Sequence, residues 1–192
     1  MLRSIRKALV PRWSKFGIVR RFVRREDGAA AVEFGMVIMP FLAMMFAIIE
    51  TAIVFFAGQT LETALADSSR QIMTGQAQTQ GYDAAAFKAN MVCPRLKSMF
   101  DCQNGVYVDV RKYTTFADAN LNKPIDGQGK LIKDFQYDPG GPGCIVVVRV
   151  MYEWPVWVSL LGFNLSDLAG SKRLLLATAA FRNEPYSGGG AC

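Results

Sequence analysis

The sequence predicts an α+β protein in which a long N-terminal transmembrane helix continues as a stalk and carries a small extracytoplasmic head. Three observations support this class. An apolar run from Phe34 to Leu61 contains one charged residue, Glu50. An amphipathic segment follows that run. Beyond it lie three segments rich in β-branched residues and bounded by Gly and Pro, for which we expect about three antiparallel strands packed with short helices.

The basic charge of the chain is concentrated at its N-terminus. The net charge is +6, yet residues 1–27 hold nine basic and two acidic residues, so this arm carries +7 and the remainder −1. A basic arm directly before an apolar run is typical of the cytoplasmic flank of a membrane helix. We favour that interpretation over nucleic-acid binding, and we expect no nucleic acid among the partners.

The apolar run is long enough to cross a bilayer. Its 28 residues would form a helix of about 42 Å, whereas a bilayer core is about 30 Å thick. A buried helix of a soluble core is disfavoured at this length. A secretory signal that is removed after the run is also disfavoured. Its basic n-region and its apolar h-region would both be longer than usual, and no good small-x-small cleavage site follows.

The start of this run carries a specific motif. In "GAAAVEF" a glycine, Gly28, is followed by four residues and then by Glu33 and Phe34. This pattern resembles the processing site of type IV pilin-like proteins. Together with Pro40, the "IIE" that ends at Glu50 and the polar "QTLETALADSSRQ", it is similar to the TadE-like pseudopilins, the TadE and TadF minor pilins of the Flp/Tad pilus system.

The resemblance implies a processing step and an assembly role. A prepilin peptidase would cut between Gly28 and Ala29, so that Glu33 becomes the fifth residue of the mature chain. Glu33, next to Phe34, would then lie one helical turn from the new amine and could pair with it. This pairing would help to recruit the subunit into the growing pilus. The implied partners are the peptidase, other pilin or pseudopilin subunits, the inner-membrane assembly platform and the membrane. The alternative is an interfacial glutamate that reaches headgroup water.

The remaining features of the helix give three expectations. Pro40 removes a backbone hydrogen bond, so a kink or local loosening is expected there. Glu50 should lie near the outer interface and reach water or a neighbour's donor. A stripe on the segment after the span should pack against the head, and Gly75 should end the helix; the stripe consists of Leu61, Ala64, Leu65, Ser68 and Ile72.

These expectations divide the chain into four parts. Residues 1–28 form a basic cytoplasmic leader that is cleaved, and residues 29–58 form the transmembrane helix. Residues 59–75 form an amphipathic helical stalk, and residues 76–192 form the extracytoplasmic head. The protein would be a single-pass component of the inner (cytoplasmic) membrane with a periplasmic or extracellular head, either retained there or incorporated in the pilus.

Within the head, the predicted strands are "GVYVDVRKY", "CIVVVRVMYEW" and "SKRLLLATAAFRNEP". The first is expected to be half-buried, because Val alternates with polar residues. Asp83 should cap one short helix and Pro94 should begin a second. Residues 114–140 read as a loop with a short helix near 116–120. The apolar "VWVSLLGF" should pack under the sheet or touch the membrane or a partner.

Four cysteines, all beyond the apolar run, indicate two disulfide bonds in an extracytoplasmic head. Of the three connectivities we favour Cys93–Cys102, which brackets one short helix, and Cys144–Cys192, which ties the tail to the central strand. Free buried cysteines are the alternative. The spacing does not fit CxxC metal or redox motifs.

The sequence argues against an enzyme. It contains no histidine, which excludes Ser-His and Cys-His nucleophile systems and His-ligated metals. It also lacks a P-loop, a Rossmann glycine pattern and an H-E-x-x-H motif. We therefore expect no catalytic residue, metal or cofactor. The favoured function is a minor pilin for a Flp/Tad-type adhesive pilus. The alternative is an uncleaved, signal-anchored membrane protein whose head binds an envelope partner.

Overall fold

A computed structural model describes residues 28–96, 99–119, 121–157, 164–187 and 192. The chain divides into two units, Met1–Met45 and Phe46–Cys192. The predicted basic arm and most of "VWVSLLGF", residues 158–163, lie outside the described residues. The described part has the predicted α+β architecture, with a long apolar helix followed by a three-stranded antiparallel sheet and short helices.

Helix α1 (Ala29–Met73) runs through Pro40 without interruption. Within the first unit, none of its described residues is buried. The apolar part of α1 has a mean hydropathy of 2.3, and α1 is the one helix in the described ranges that is long and apolar enough to cross a membrane. A helix that is apolar on all sides needs an apolar surrounding. The observation fits a single-pass membrane protein.

In the second unit, one face of α1 belongs to the core of the head. All five residues of the predicted stripe are buried, from Leu61 to Ile72. The helix ends just before Gly75, whose φ is +78° and whose N–H donates to the Ile72 carbonyl at 3.0 Å. A side chain at Gly75 would also collide with the Tyr186 ring, since a Cβ there would lie 2.5 Å from it. Glycine is therefore required here by backbone conformation and by space.

The remaining elements follow in chain order: helices α2 (Gln76–Thr79) and α3 (Ala84–Phe87), a π-helical turn (Lys88–Val92), helices α4 (Cys93–Leu96) and α5 (Cys102–Gly105), strand β1 (Val106–Tyr113), a 3-10 turn (Phe116–Asp118), and strands β2 (Ile145–Pro155) and β3 (Lys172–Arg182). The sheet order is β1-β2-β3, and both pairs of strands are antiparallel. Each strand therefore pairs with its neighbour in sequence, and no crossover is needed.

The prediction of two separate short helices was wrong. Asp83 caps the first helix as expected, because its Oδ1 accepts the Ala86 N–H at 2.7 Å. However, the π-helical turn joins α3 to α4 without a break, and Pro94 lies inside α4 rather than at a new start. Pro94 has no N–H to donate, so a helix must lose one bond there in any case. The π turn lies directly before Pro94, and in it the Cys93 N–H bonds the Lys88 carbonyl five residues back.

The two faces of the sheet have different covers. One face packs against α1 and the helical run 84–96, with Val108 and Val150 as a facing pair of this core. The other face carries a smaller cluster formed by Met151, Leu174, Leu131 and Leu168, the last two from the segments 121–138 and 164–170. The valines of β1 are buried as expected, but the other face of the strand is not open, because Asp109 is buried and Tyr107 and Arg111 are partly covered. Loop segments that the alternating pattern does not reveal cover the polar face of the strand.

An ion pair is buried on this second face. Asp109 of β1 and Arg149 of β2 are direct cross-strand partners, and their side chains are 1% and 9% exposed. Arg149 Nε and Nη2 both donate to Asp109 Oδ2, at 3.0 and 2.5 Å. Asp109 Oδ1 accepts from Arg111 Nε at 3.0 Å and from the Gln136 N–H at 2.8 Å. The carboxylate therefore holds two arginines and also fixes the covering segment 121–138.

Tyr137 connects this covering segment to the opposite face. Its ring lies 5.6 Å from the ring of Phe87, centroid to centroid. Among the described residues its hydroxyl has no hydrogen-bond partner. Burial, with a smaller contribution from the Asp83 carboxylate, raises the pKa of Tyr137 to about 12. The phenol is therefore neutral at any physiological pH.

Two disulfide bonds hold the head. Cys93 is bonded to Cys102 and Cys144 to Cys192, with Cα–Cα distances of 5.6 and 5.3 Å. These are the pairs favoured from the sequence. The second bond joins the C-terminal residue to the turn that precedes β2. Near this turn the Glu184 N–H donates to the Met73 carbonyl at 2.9 Å, so the tail also covers the end of α1.

We predict that Asp109→Ala destabilises the head by about 3–5 kcal/mol, because it leaves Arg149 buried without its carboxylate. The measurement is denaturant unfolding of the full chain in detergent, followed by near-UV circular dichroism. Asp67→Ala is the matched control. It breaks the Arg95–Asp67 pair, which has an N–O distance of 3.3 Å and an Asp67 side chain that is 61% exposed, and should cost at most about 1 kcal/mol. Equal costs for the two variants would contradict a structural role for the buried pair.

We predict that the disulfide bonds contribute unequally. The Cys144–Cys192 bond joins residues 48 positions apart and the Cys93–Cys102 bond residues 9 apart. The loop-closure relation then assigns about 4 kcal/mol to the first and about 2.5 kcal/mol to the second. The two double Cys→Ser variants, unfolded by denaturant without reductant, test this order. A larger loss from the Cys93/Cys102 variant would show that loop length does not set the difference.

Candidate assembly site

The predicted processing position coincides with a structural boundary. Helix α1 has its first residue at Ala29, directly after the exposed Gly28. Gly28 does not have a positive φ, and a Cβ built on it would meet no atom within 4 Å. The described fold therefore does not require a glycine at this position, in contrast to Gly75. Gly35 and Gly58 of α1 are equally unobstructed, so the space around Gly28 does not by itself mark this position.

Glu33 lies in the second turn of α1 and is exposed. It is four residues after Ala29, so the two positions share one face of the helix. Among the residues that the structure describes, none forms an ion pair or a hydrogen bond with the Glu33 carboxylate. The carboxylate is exposed on the face of the helix that also carries Ala29.

The helix surface around Glu33 is apolar and accessible. Phe34 is 67% exposed. The other exposed large apolar residues of the first unit are Val32, Met36, Val37, Met39, Phe41, Met44 and Met45. Pro40 is also exposed and cannot donate to the carbonyl of Met36, one turn earlier. The predicted kink at Pro40 stays a prediction. This surface suits lipid tails and the helices of neighbouring subunits.

Glu50 forms a contact that the sequence did not reveal. It is only 5% exposed, and its Oε1 accepts the backbone N–H of Trp157 at 2.6 Å. The sequence led us to expect that Glu50 contacts water or a hydrogen-bond donor of a neighbouring subunit. In the structure it accepts a hydrogen bond from its own chain instead. The signal in the sequence was the isolation of this one acid in an apolar run of 28 residues. Nothing in the sequence pointed to its partner, which is 107 residues away.

The described residues provide no arrangement for a metal or a nucleophile. Within the described ranges, no three Cys, Asp or Glu side chains come together as a metal site. All four cysteines are in disulfide bonds, so no thiolate is available for attack or metal binding. The candidate functional features are therefore those of the helix and of its junction with the head.

The motif residues of α1 agree with a known family. Residues 28–70 match the TadE-like protein family. The match confirms the resemblance seen in the sequence, and it begins at Gly28, the predicted processing position. It includes Glu33, Pro40 and Glu50 and ends three residues before α1 does. No curated protein and no solved structure matches the chain.

The match places the chain in a functional context. The TadE-like family is structural and non-enzymatic, and it suggests a protein associated with the Tad pilus, which implies contacts with other pilus components and with the membrane. Residues 71–192, which include the whole head, lie outside the matched segment. Its description rests on the contacts reported above.

Proposed function

We propose that this protein is a minor pilin (pseudopilin) of a Flp/Tad-type adhesive pilus, cut by a prepilin peptidase after Gly28. One observation carries the proposal: the pattern of Gly28, four small or apolar residues, Glu33 and Phe34 lies at the exposed start of the helix that begins at Ala29. A peptidase that must bring the backbone close to its catalytic groups would need that glycine, because a side chain would block the approach. The family match beginning at Gly28 supports the same position.

The cut changes the charge of the chain. Hydrolysis of the Gly28–Ala29 amide leaves a carboxylate on Gly28 and a protonated amine on Ala29. The leader takes +7 with it, and the mature chain retains −1 before the new amine is counted. The basic arm holds the N-terminus in the cytoplasm. After the cut, this arm no longer anchors the N-terminal end of α1. The helix can then leave the bilayer through that end.

The new amine gives Glu33 its role. Four residues of helix rise by about 6 Å, so the Glu33 carboxylate can reach the Ala29 amine of its own chain or that of a subunit packed alongside. In an apolar surrounding, either charge alone is costly, and pairing removes this cost. An incoming subunit would therefore be favoured at the position where its amine meets an unpaired carboxylate. This contact would set the register between neighbouring helices.

The apolar surface of α1 would provide the rest of the subunit contact. Small residues at Ala30, Ala31 and Gly35 allow helix backbones to approach closely. The Met36 carbonyl, which Pro40 leaves without its helical donor, could be covered by a neighbouring helix.

We predict that Gly28→Leu blocks processing. The unaltered chain, purified from membranes without reductant, should have the mass of residues 29–192, whereas the Gly28→Leu chain should keep its leader. Gly35→Leu is the matched control, because a Cβ at Gly35 also meets no atom within 4 Å; it should be processed normally. If the unaltered chain still begins at Met1 in cells that process other pilins, the protein is an uncleaved signal-anchored protein instead.

We predict that Glu33→Gln prevents incorporation into pili but leaves processing intact. The change keeps the shape of the side chain and removes its charge, so the Ala29 amine loses its partner. Loss of one member of a buried pair costs about 3–5 kcal/mol, and incorporation should fall by more than about a hundredfold. The measurement is the amount of subunit in sheared pili relative to that in membranes.

Glu62→Gln is the control for this experiment, since Glu62 is an exposed glutamate on the same helix. It should be incorporated as the unaltered chain is. If Glu33→Gln is processed and incorporated normally, Glu33 is only an interfacial residue, and the pairing role is wrong even if the protein is a pilin.

A further inference from the structure

We propose that Trp157 anchors the head to the outer leaflet of the membrane, with its indole among the phospholipid headgroups. The inference rests on the proposed membrane span of α1, although it does not depend on pilus assembly. It concerns the junction between α1 and the end of strand β2, where Glu50 and Trp157 meet.

The backbone at Trp157 is held by a hydrogen bond to α1, and its side chain is exposed. Strand β2 ends at Pro155, and the Val156 N–H donates to the Ser171 carbonyl at 2.9 Å. The next N–H, that of Trp157, donates to Glu50 Oε1 at 2.6 Å. Val156 is 7% exposed, whereas Trp157 is 73% exposed. A large aromatic side chain is thus held outward at a defined position beside α1.

That position corresponds to the outer boundary of the membrane. A span of about 20 residues counted from Phe34 ends at Ile53, three residues after Glu50. The exposed residues of α1 remain apolar through Phe56 and become polar at Gln59. Trp157 is therefore attached to α1 within the last turn of the span. Tryptophan is enriched at this depth, because its ring is apolar and its N–H can still reach headgroups or water.

Glu50 explains why the attachment occurs here. A carboxylate near the edge of a bilayer is costly without hydrogen bonds, and the Trp157 N–H lowers that cost by donating to it. The same bond holds the turn after β2 against the helix. The acid in the membrane segment would thus hold the turn after β2 at this level of α1, in addition to the core contacts that the stalk makes with the head.

Lipid fits this surface better than a protein partner, because the surface continues the one that the span already presents to lipid. Within the second unit, six large apolar residues of α1 are exposed within six positions of Glu50, namely Phe46, Ile48, Ile49, Ile53, Phe55 and Phe56. Trp157 extends this band to the head. A membrane that surrounds the span necessarily reaches the same band, so no additional partner is required.

Single-tryptophan chains test the proposal. The chain has three tryptophans, Trp13, Trp154 and Trp157. The full chain with Trp13→Phe and Trp154→Phe reports on Trp157 alone. The full chain with Trp13→Phe and Trp157→Phe reports on Trp154, which is 6% exposed and packs against Phe100. Both chains are placed in phosphatidylcholine nanodiscs with brominated acyl chains, after circular dichroism has shown that the head is folded.

We expect lipid brominated near the headgroup end of its acyl chain to quench most of the Trp157 emission. Lipid brominated near the bilayer centre should quench it less, and aqueous iodide should have little effect. Trp154 should respond weakly to all three quenchers. Strong quenching of Trp157 by iodide without quenching by lipid would overturn the proposal. The proposal would also be overturned if Trp157 is protected from both lipid and iodide and this protection disappears when the protein is diluted into excess lipid. That result would indicate a second copy of the chain at this surface.

Variants at Glu50 test the cause. In the chain that retains Trp157, Glu50→Ala should reduce quenching by lipid and increase quenching by iodide, because the turn loses its acceptor on α1. Glu50→Gln keeps an acceptor oxygen and should retain the quenching by lipid. If Glu50→Ala leaves both responses unchanged, Glu50 does not hold the anchor. No peptidase is present in the nanodiscs, so these outcomes are separate from processing after Gly28.

Discussion

The structure depends on one helix that has to satisfy two surroundings. The N-terminal part of α1 is apolar on every side and needs lipid or other helices around it. From Val54 onward, one face of the same helix is part of the hydrophobic core of the head. The head therefore cannot form its core without the helix. A change of helix position during assembly would have to carry the head with it, because the two share the residues from Leu61 to Ile72.

The sequence revealed the elements that follow simple periodicities. The stripe on α1, the three strands and the cap at Asp83 each depend on local patterns of apolar residues or on a capping side chain, and the structure contains all of them. The family motif that begins at Gly28 was also visible, because it consists of residues close together in the sequence. The covered second face of β1 was not predictable in this way. Its cover comes from residues 121–138, whose polar composition reads as a loop.

The two contacts that escaped prediction both involve an acid and a distant partner. Asp109 looks like the exposed half of an alternating strand, yet it is 1% exposed and bound to Arg149, 40 residues later. Glu50 looks like an interfacial residue, yet it accepts an N–H from a residue 107 positions away. In each case the sequence shows a charged residue among apolar neighbours. It does not identify the partner, because the partner is brought close by tertiary contacts that a local sequence pattern does not reveal.

The helix and the head are constrained in different ways. The match covers the helix from Gly28 to Arg70, the part that a peptidase, a bilayer and neighbouring subunits would all contact. The head is held by means of its own: two disulfide bonds, a buried ion pair and the turn at Trp157. Such a head need only present the correct apolar face to α1 and keep its place at the membrane. Its remaining surface is then free to differ between proteins that share the same helix, which is what recognition of different surfaces by an adhesive pilus would require.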